Sequence, residues 1–276
     1  MDTHEYSQWF RSSTPYISAH RGKTFVVYLG GDAMEHNNLI NIVHDLALLH
    51  VLGVHLVLVH GGRPQLDNLL GERVHASGYR VTNSNDMAAV TATYGLLRTR
   101  LEALFSTGLP NTPLHQVEVG VVSGNFVAAR PLGVVDGVDY QLTGSIRSLK
   151  VNRVQASLDA GNIVLLSPLG FSRSGQAFNL VSEELASAVS VMLKADKLIM
   201  LDELTALRTA SGARASTLTP TSLQQLLEQD LQGAGEASEL RLRVMTQAVR
   251  GGVTKAHILS YAADGGLLQE LFTADG

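Results

Sequence analysis

The sequence predicts an α/β fold, a three-layer α-β-α sandwich built around a mostly parallel central sheet. Between residues 24 and 200, short apolar segments alternate with helical patterns, which is typical of parallel strands covered by helices on both faces. The apolar segments 24–29 and 55–60 each end at a glycine pair, where such a chain turns from a strand into a helix. Hydrophobic residues make up 45% of the 276 residues and charged residues 17%, as in a folded globular chain. The sequence contains no internal repeat, and we predict no second domain.

The first half of the chain supplies the elements around the glycine pairs. The predicted strands and helices of this half, in chain order, are 24–29, 41–52, 55–60, 64–75 and 86–106. Gly53 ends the first helix, because glycine is favoured just beyond a helix C-terminus. Pro64 stands near the first turn of the next helix, where proline is tolerated. This half therefore reads as two strand–helix units followed by one long helix.

The second half begins with short strands and returns to a strand–helix alternation. Its predicted elements are strands 117–122 and 126–130, a glycine-rich return at 136–139, helix 152–160, strand 163–166, a hairpin over 170–179, helix 182–194, strand 198–201, helix 240–249, strand 256–260 and helix 267–272. Ser182 is a favourable helix cap, and Glu183 and Glu184 complement the positive end of the helix dipole. Segments 209–221 and 232–238 are rich in small and polar residues and are predicted to be surface loops.

The composition argues against several classes of function. The net charge of −4 is unfavourable for a nucleic-acid-binding surface. The chain has no cysteine, which excludes disulfides and thiolate metal sites, and its ten histidines lack the paired spacing of a metal site. The polar N-terminus lacks a signal-peptide pattern, and no apolar stretch reaches the roughly 18 residues of a membrane span. We therefore predict a cytoplasmic protein with no metal, nucleic-acid or membrane partner.

The two glycine pairs suggest an anion site, and one neighbouring residue argues against phosphoryl transfer. Gly30-Gly31 and Gly61-Gly62 would let backbone amides approach a phosphate or carboxylate. The alternative is that they only allow tight turns and close packing. Tyr28 precedes the first pair, where a phosphoryl-transfer enzyme with this layout would need a lysine. His60 precedes the second pair and is either an anion ligand or a satisfied core residue.

Several sequence blocks, in order, resemble a known family over nearly the whole chain. They are Pro15-Tyr16-Ile17, Arg21-Gly22-Lys23-Thr24-Phe25-Val26, Val59-His60-Gly61-Gly62-Arg63-Pro64-Gln65, Val122-Ser123-Gly124-Asn125-Phe126, Arg130-Pro131-Leu132-Gly133-Val134, Gly137-Val138-Asp139-Tyr140, Phe178-Asn179-Leu180 and Leu267-Leu268-Gln269-Glu270-Leu271-Phe272. The chain resembles the amino-acid kinase (carbamate kinase-like) fold of acetylglutamate kinase. It is more similar still to the N-terminal domain of bacterial N-acetylglutamate synthase.

The resemblance implies a role in arginine biosynthesis. The synthase family transfers an acetyl group from acetyl-CoA to glutamate, the first step of that pathway, and its acetyltransferase module follows the kinase-like domain. We expect residues 1–20 to be an N-terminal oligomerisation helix and residues 21–276 to be the amino-acid-kinase-like domain. We expect the acetyltransferase module, which would use acetyl-CoA, to be absent from this chain. No catalytic residue and no cofactor are then predicted within the chain.

The alternative function is an active phosphotransferase of the acetylglutamate kinase type. The kinases carry one lysine where this chain has Tyr28, and a second where it offers only Leu240 or Arg241. A kinase aspartate is matched here by Glu183. We therefore expect a kinase-inactive domain with vestigial substrate and phosphate loops, and the resemblance assigns to them Gly30, Gly31, Gly61, Gly62, Arg80 and Asn179. A third hypothesis makes the domain a purely structural oligomerisation platform.

Arginine-sensitive members of the fold add an N-terminal helix and a C-terminal signature, and this chain has both. The resemblance implies a site for L-arginine, the expected effector, formed by Tyr16, Lys197, His257, Glu270, Phe272 and Gly276, with Glu270 as the guanidinium acceptor. The alternatives are a solvated helix face for Glu270 and a surface position for Lys197. The N-terminal arm carries Tyr6, Trp9, Phe10, Tyr16 and Ile17. In the family, such arms interlace dimers into hexamers, so we expect a homo-oligomer. The alternative is an arm docked on its own domain. The resemblance to the synthase makes an acetyltransferase domain the other expected partner.

Overall fold

The computed structural model describes residues 3–72, 78–107, 115, 117–202, 217–218 and 236–273. The strands are β1 (Thr24–Leu29), β2 (His55–His60), β3 (Gly120–Ser123), β4 (Val127–Pro131), β5 (Val134–Val135), β6 (Val138–Asp139), β7 (Gly144–Leu149), β8 (Asn162–Leu166), β9 (Leu169–Phe171), β10 (Ala177–Asn179), β11 (Lys197–Leu201), β12 (Thr217–Leu218) and β13 (Lys255–Leu259). The helices are α1 (Thr3–His20), α2 (Gly31–Glu35), α3 (Leu39–Val51), α4 (Arg63–Leu70), α5 (Ser84–Phe105), α6 (Val151–Asp159), α7 (Ser182–Met192), α8 (Glu236–Arg250) and α9 (Gly266–Phe272).

A seven-stranded sheet forms the centre of the fold in the order β12-β13-β11-β1-β2-β8-β3. All neighbouring pairs from β13 to β3 are parallel, and β12 alone runs antiparallel to β13. The register places Leu29 beside both His60 and Leu201. The segments that follow these three residues therefore leave the sheet at the same edge. The predicted mostly parallel sheet is confirmed.

The two faces of the sheet bury separate apolar cores, because successive side chains of a strand point to opposite faces. On β1, Val26 and Tyr28 belong to one core, which is closed by α6, α7 and α8. Phe25, Val27 and Leu29 belong to the other, which is closed by α2–α5 and α9. Each fully buried aliphatic side chain contributes about 1.5–3 kcal/mol. These two cores produce the predicted three layers.

A second, four-stranded sheet in the order β10-β9-β4-β7 covers part of the first core. A β-bridge joins Thr143 to Asn179, and another joins Thr82 to Gln141. The small hairpin of β5 and β6 lies between the strands of this sheet in the chain. Together they bring polar side chains from distant parts of the sequence to the edge where the glycine pairs lie.

Several element bounds differ from the sequence prediction. The helix predicted to reach His75 ends at Leu70, because Gly71 has a φ of +75° and terminates it; residues 73–77 lie outside the described residues. β3 begins three residues later than predicted, and α2 and β7 were not predicted. The predicted loops contain β12 and the start of α8, and their other residues lie outside the described ranges.

None of the helices in the described part of the chain combines the length and the apolar character that crossing a membrane requires. Within those same residues, His, Asp and Glu side chains form no group of three or more that could hold a metal ion.

Candidate functional site

Two candidate sites lie at opposite ends of the central sheet. The glycine pairs follow the carboxyl ends of β1 and β2, whereas Lys197 begins β11 at the amino end of the same parallel sheet. A five-residue strand spans roughly 16 Å, so the two sites share no side chain.

The two glycine loops pack directly on each other. A Cβ atom added at Gly61 would lie 2.9 Å from the backbone nitrogen of Gly31, and one added at Gly62 would lie 2.7 Å from a ring carbon of Tyr94. Side-chain carbons do not approach other atoms this closely in well-packed proteins, so a larger residue forces the loops apart. Close packing therefore explains why Gly61 and Gly62 are glycines, and a bound anion is not needed to explain them.

Tyr28 fills the space between the two loops. Its side chain is buried, and its hydroxyl oxygen lies 3.4 Å from Ser182 Oγ, which donates a 3.0 Å hydrogen bond to the Glu183 carboxylate. Burial, followed by the charge of Glu183, raises the pKa of Tyr28 well above 10. The phenol therefore stays neutral and supplies no positive charge to a phosphoryl group.

The position expected for the second kinase lysine is also without a free cation. Leu240 is buried in the core. Arg241 forms an ion pair with Asp202, the residue that follows β11, and both side chains are mostly buried. The guanidinium group is therefore committed to a carboxylate of the same chain.

Arg80 and Asn179, predicted for the vestigial substrate loop, lie near this edge and line one small cavity. Arg80 pairs with Asp67, while Asn179 accepts a 3.0 Å hydrogen bond from Tyr94 and donates one of 3.0 Å to Thr82. The cavity measures about 40 Å³, room for roughly three water molecules. Polar partners within the protein thus hold both side chains beside a small, partly open cavity.

At the opposite end of the sheet, three of the residues predicted to bind arginine form a connected chain. Lys197 Nζ lies 3.4 Å from Nε2 of His257, and Nδ1 of His257 lies 2.8 Å from Oε1 of Glu270. Register brings the three together: β11 and β13 are neighbours, and α9 packs across the sheet beside them. The side chains of His257 and Glu270 are only 2% and 7% exposed, and Lys197 is partly exposed.

The protonation states of this chain follow from its burial. Burial lowers the pKa of His257 below 6.5, against the hydrogen bond to Glu270, so the ring is neutral at pH 7. The carboxylate then holds the remaining proton on Nδ1, which leaves Nε2 to accept a hydrogen bond from Lys197. Burial, and next the charge of Lys255, lowers the pKa of Lys197 to about 8. The amine of Lys197, which is mostly protonated at pH 7, and the carboxylate of Glu270 therefore lie on opposite sides of one imidazole ring.

The C-terminal end of α1 lies against this site and brings a residue that the sequence analysis did not include. His20 Nε2 donates a 2.8 Å hydrogen bond to the carbonyl oxygen of Leu271, and its ring lies 5.8 Å from that of Phe272. Burial, with contributions from Lys197 and His257, lowers the pKa of His20. Tyr16 packs on the same core as Phe272. Tyr16 and His20 are four residues apart on a helix, and this spacing places them on one face; it was the available signal for His20.

Some predicted positions lie outside the described residues. Gly276 is one of them, and the side chains of Tyr6, Trp9 and Phe10 are others. The assignment of these residues stays a prediction.

The fold agrees with what sequence comparison finds. The model of the amino acid kinase family matches residues 23–260. The chain belongs to this family. Within it, the chain is 45% identical, over 99% of its length, to the amino-acid acetyltransferases of Yersinia enterocolitica and Yersinia pseudotuberculosis. It spans 63% of the length of these relatives.

Solved structures show the same similarity. The N-acetylglutamate synthase of Neisseria gonorrhoeae, crystallised with coenzyme A and L-arginine, matches 98% of this chain with a TM-score of 0.89 and 37% identity. The match covers 64% of that protein. A carbamate kinase from Giardia lamblia matches 91% of this chain and 96% of its own at 16% identity with a TM-score of 0.63, which shows the shared fold alone. The predicted fold and the resemblance to the synthase domain are confirmed.

Proposed function

We propose that this chain is the regulatory, L-arginine-binding domain of an N-acetylglutamate synthase. The observation that supports this most is the buried connection from Lys197 through His257 to Glu270. A free amino acid with a cationic side chain needs a carboxylate for its guanidinium group and a cation for its α-carboxylate. Glu270 and Lys197 offer both, separated by one imidazole ring and two short polar contacts.

Each residue has a distinct task in the proposed complex. Glu270 accepts charge-assisted hydrogen bonds from the guanidinium group, and Lys197 pairs with the α-carboxylate. His257 holds Glu270 in place through its Nδ1–H group. Support also comes from the gonococcal relative, whose structure contains L-arginine. At 37% identity over nearly the whole of this chain, we infer that the two proteins share this ligand.

The proposed regulation works through the N-terminal helix. His20 at the end of α1 bonds to the backbone of α9, which carries Glu270. An effector that binds Glu270 therefore acts on the element that we propose joins subunits into a homo-oligomer. Arginine would favour one subunit arrangement, provided that it binds that arrangement more tightly. The acetyl transfer from acetyl-CoA to glutamate, in the cytoplasm, is assigned to an acetyltransferase module outside the kinase-like domain.

The alternative, phosphoryl transfer to an acylated amino acid, is disfavoured by the glycine end of the sheet. Tyr28 is neutral and fills the space between the loops, and Arg241 is paired with Asp202. Transferring phosphoryl groups need positive charge from side chains or metal ions. We therefore propose that the domain does not turn over ATP with N-acetylglutamate.

Isothermal titration of the 276-residue chain with L-arginine tests the proposal, with L-lysine and ATP as control ligands. Selective binding of arginine is the expected result. Glu270→Gln should weaken it by about 10- to 100-fold, the value of a charge-assisted hydrogen bond. The amide oxygen of Gln still accepts a hydrogen bond from Nδ1–H of His257, so the fold is kept. Glu102→Gln, on α5 away from the site, is the matched control and should bind as the wild type does. Equal affinities for all three proteins would refute the site, and binding of ATP without arginine would favour the kinase alternative.

The assembly role needs a separate test, because it does not depend on arginine. Deletion of residues 1–20 should reduce the mass of the assembly in light scattering. An unchanged mass would mean that α1 docks only on its own domain.

A further inference from the structure

Lys197, His257 and Glu270 share the geometry of an activated nucleophile. In such sites a nucleophile contacts a neutral histidine, and a carboxylate on the far side of the ring fixes its tautomer. Here Nζ of Lys197 takes the place of the nucleophile, 3.4 Å from Nε2 of His257, and Oε1 of Glu270 lies 2.8 Å from Nδ1. The lone pair of Nε2 is therefore directed at the Lys197 nitrogen.

The surroundings of Lys197 set how easily it loses its proton. Burial is the largest cause of its lowered pKa, and Lys255 on the neighbouring strand β13 acts in the same direction. Glu270 on α9 and Asp196, just before β11, oppose this change. From β1, the ring of Phe25 lies 5.7 Å from Nζ and contributes no formal charge.

The remaining charged and titratable neighbours modify this balance. Asp196 is itself 3.1 Å from the ammonium group of Lys23, which reduces its effect. His20, at the end of α1, is buried and has a lowered pKa, with Lys197 among the causes. The net result for Lys197 is a pKa of about 8.

We propose that Lys197 is a site of acylation by acyl thioesters such as acetyl-CoA, with His257 as the base that removes its proton. The neutral amine attacks the thioester carbonyl carbon, so that a C–N bond forms as the C–S bond breaks. The proton from Nζ passes to His257 Nε2 and from there to the departing thiolate. The products are an Nε-acyl-lysine and a free thiol, and no oxidant or other reactant is consumed. Lys197 is partly exposed, as a residue that reacts with a thioester from solution must be.

Acylation would remove the positive charge that the proposed function assigns to the arginine carboxylate. It would therefore weaken arginine binding and link feedback control to the supply of acyl thioester. The acylation itself does not depend on arginine binding, and its test is carried out without arginine. The two proposals can thus fail separately.

The chain is well suited to the test because it has only five lysines, namely Lys23, Lys150, Lys194, Lys197 and Lys255. The 276-residue chain is incubated with acetyl-CoA between pH 6.5 and 9.5, and the acetylation rate at each lysine is followed by peptide mass spectrometry. At pH 7.5 an amine with a pKa of about 8 is roughly one-quarter neutral, whereas an ordinary lysine is about 0.1% neutral. We expect Lys197 to react at least about tenfold faster than Lys194 and Lys255, and its rate to level off above about pH 8.5.

Two variants separate a chemical role from a structural one. His257→Gln removes the base and should lower the plateau rate at Lys197, with the midpoint of its pH–rate profile kept because burial and Lys255 set that pKa, and it should leave the rate at Lys194 unchanged. Glu270 is a positioning residue whose charge raises the pKa of Lys197, so Glu270→Gln should move the midpoint of the pH–rate profile to lower pH. A merely structural role would leave that midpoint in place. Where a variant fails to fold, the wild-type profile decides.

The proposal is overturned if Lys197 reacts no faster than Lys194, or if its rate keeps rising tenfold per pH unit beyond pH 9. Saturating L-arginine provides a further arm and should protect Lys197 alone. Fast acylation of Lys197 with no protection by arginine would support this inference and refute the arginine site.

Discussion

The hydroxyl oxygen of Tyr28 lies against Gly61, so close that a Cβ atom at that glycine would be 3.0 Å away from it. Strands β1 and β2 pair in register from Thr24 with His55 to Leu29 with His60, so the two glycine loops leave the sheet side by side. The tyrosine fills the gap between them. The same side chain, Tyr28, thus packs the two loops together and occupies the position at which a lysine would supply positive charge.

The first prediction concerns this contact. Gly61→Ala should lower the free energy of unfolding by about 1–3 kcal/mol, because the added methyl group meets Gly31 and Tyr28. Tyr28→Phe alone should cost about 1 kcal/mol or less, since its hydrogen bond to Ser182 is long. The double variant should lose less free energy of unfolding than the two single variants together, by about 0.5 kcal/mol or more, because the hydroxyl group that the added methyl would meet is gone. Urea unfolding of the four proteins measures this.

Gly95→Ala is the matched control, because it lies inside helix α5 with open space around the added carbon. It should stabilise the fold by up to about 1 kcal/mol. Strict additivity of Gly61→Ala and Tyr28→Phe would show that the hydroxyl group does not restrict the loop.

The second prediction concerns the buried ion pair of Asp202 with Arg241. Asp202→Asn leaves the guanidinium group buried without its counter-charge and should lower the free energy of unfolding by about 3 kcal/mol. The exposed pair of Lys23 with Asp196 is the control, and Lys23→Met should cost less than about 1 kcal/mol. Chemical denaturation at pH 7 compares them. Equal losses in the two variants would mean that Arg241 remains hydrated and available to an anionic ligand.

The sequence predicts the continuous apolar strands well and the polar edge strand poorly. β1 and β2 have the bounds expected from their apolar runs, because both faces of these strands are buried and the glycine pairs mark their ends. β7 was missed, since its Gly144–Leu149 sequence is largely polar and its side chains are mostly partly or fully exposed. Pairing with β4 and the burial of Leu149 in the first core fix its position.

For the candidate sites, residue types were predictable and their connections were not. Lys197, His257 and Glu270 were all named from motifs, but the position of the histidine ring between the other two side chains follows from the register of β11 and β13 and the placement of α9. The contact of Tyr28 with Ser182 joins residues 154 positions apart. No local pattern in the sequence encodes such a separation.

The third prediction concerns His60, which is fully buried with Nδ1 2.9 Å from the Gly61 carbonyl oxygen and Nε2 2.8 Å from Ser167 Oγ. Burial lowers its pKa from 6.5 to about 4. The unfolded chain therefore binds a proton first as the pH falls, so stability is complete above about pH 6.5 and is lost between there and pH 4. The difference corresponds to about 3 kcal/mol.

His60→Gln keeps a donor and an acceptor at this position but does not titrate. Urea unfolding at pH 7, 5.5 and 4 should show a smaller acid loss in this variant than in the wild type. Parallel losses would place the acid sensitivity in other groups.

The fourth prediction concerns the stability cost of keeping Lys197 charged in a half-buried place. Its pKa of about 8 in the folded protein lies below the ordinary value of about 10.4. Between these values the folded chain has released a proton that the unfolded chain still holds, so stability rises with pH in this window and is constant below it. Lys197→Met cannot titrate. The wild type should therefore gain stability relative to this variant between pH 8 and 10, measured by urea unfolding without arginine. If the difference between the two free energies of unfolding stayed constant with pH, Lys197 would be fully hydrated. There would then be no physical reason to expect that a ligand carboxylate stabilises its ammonium group.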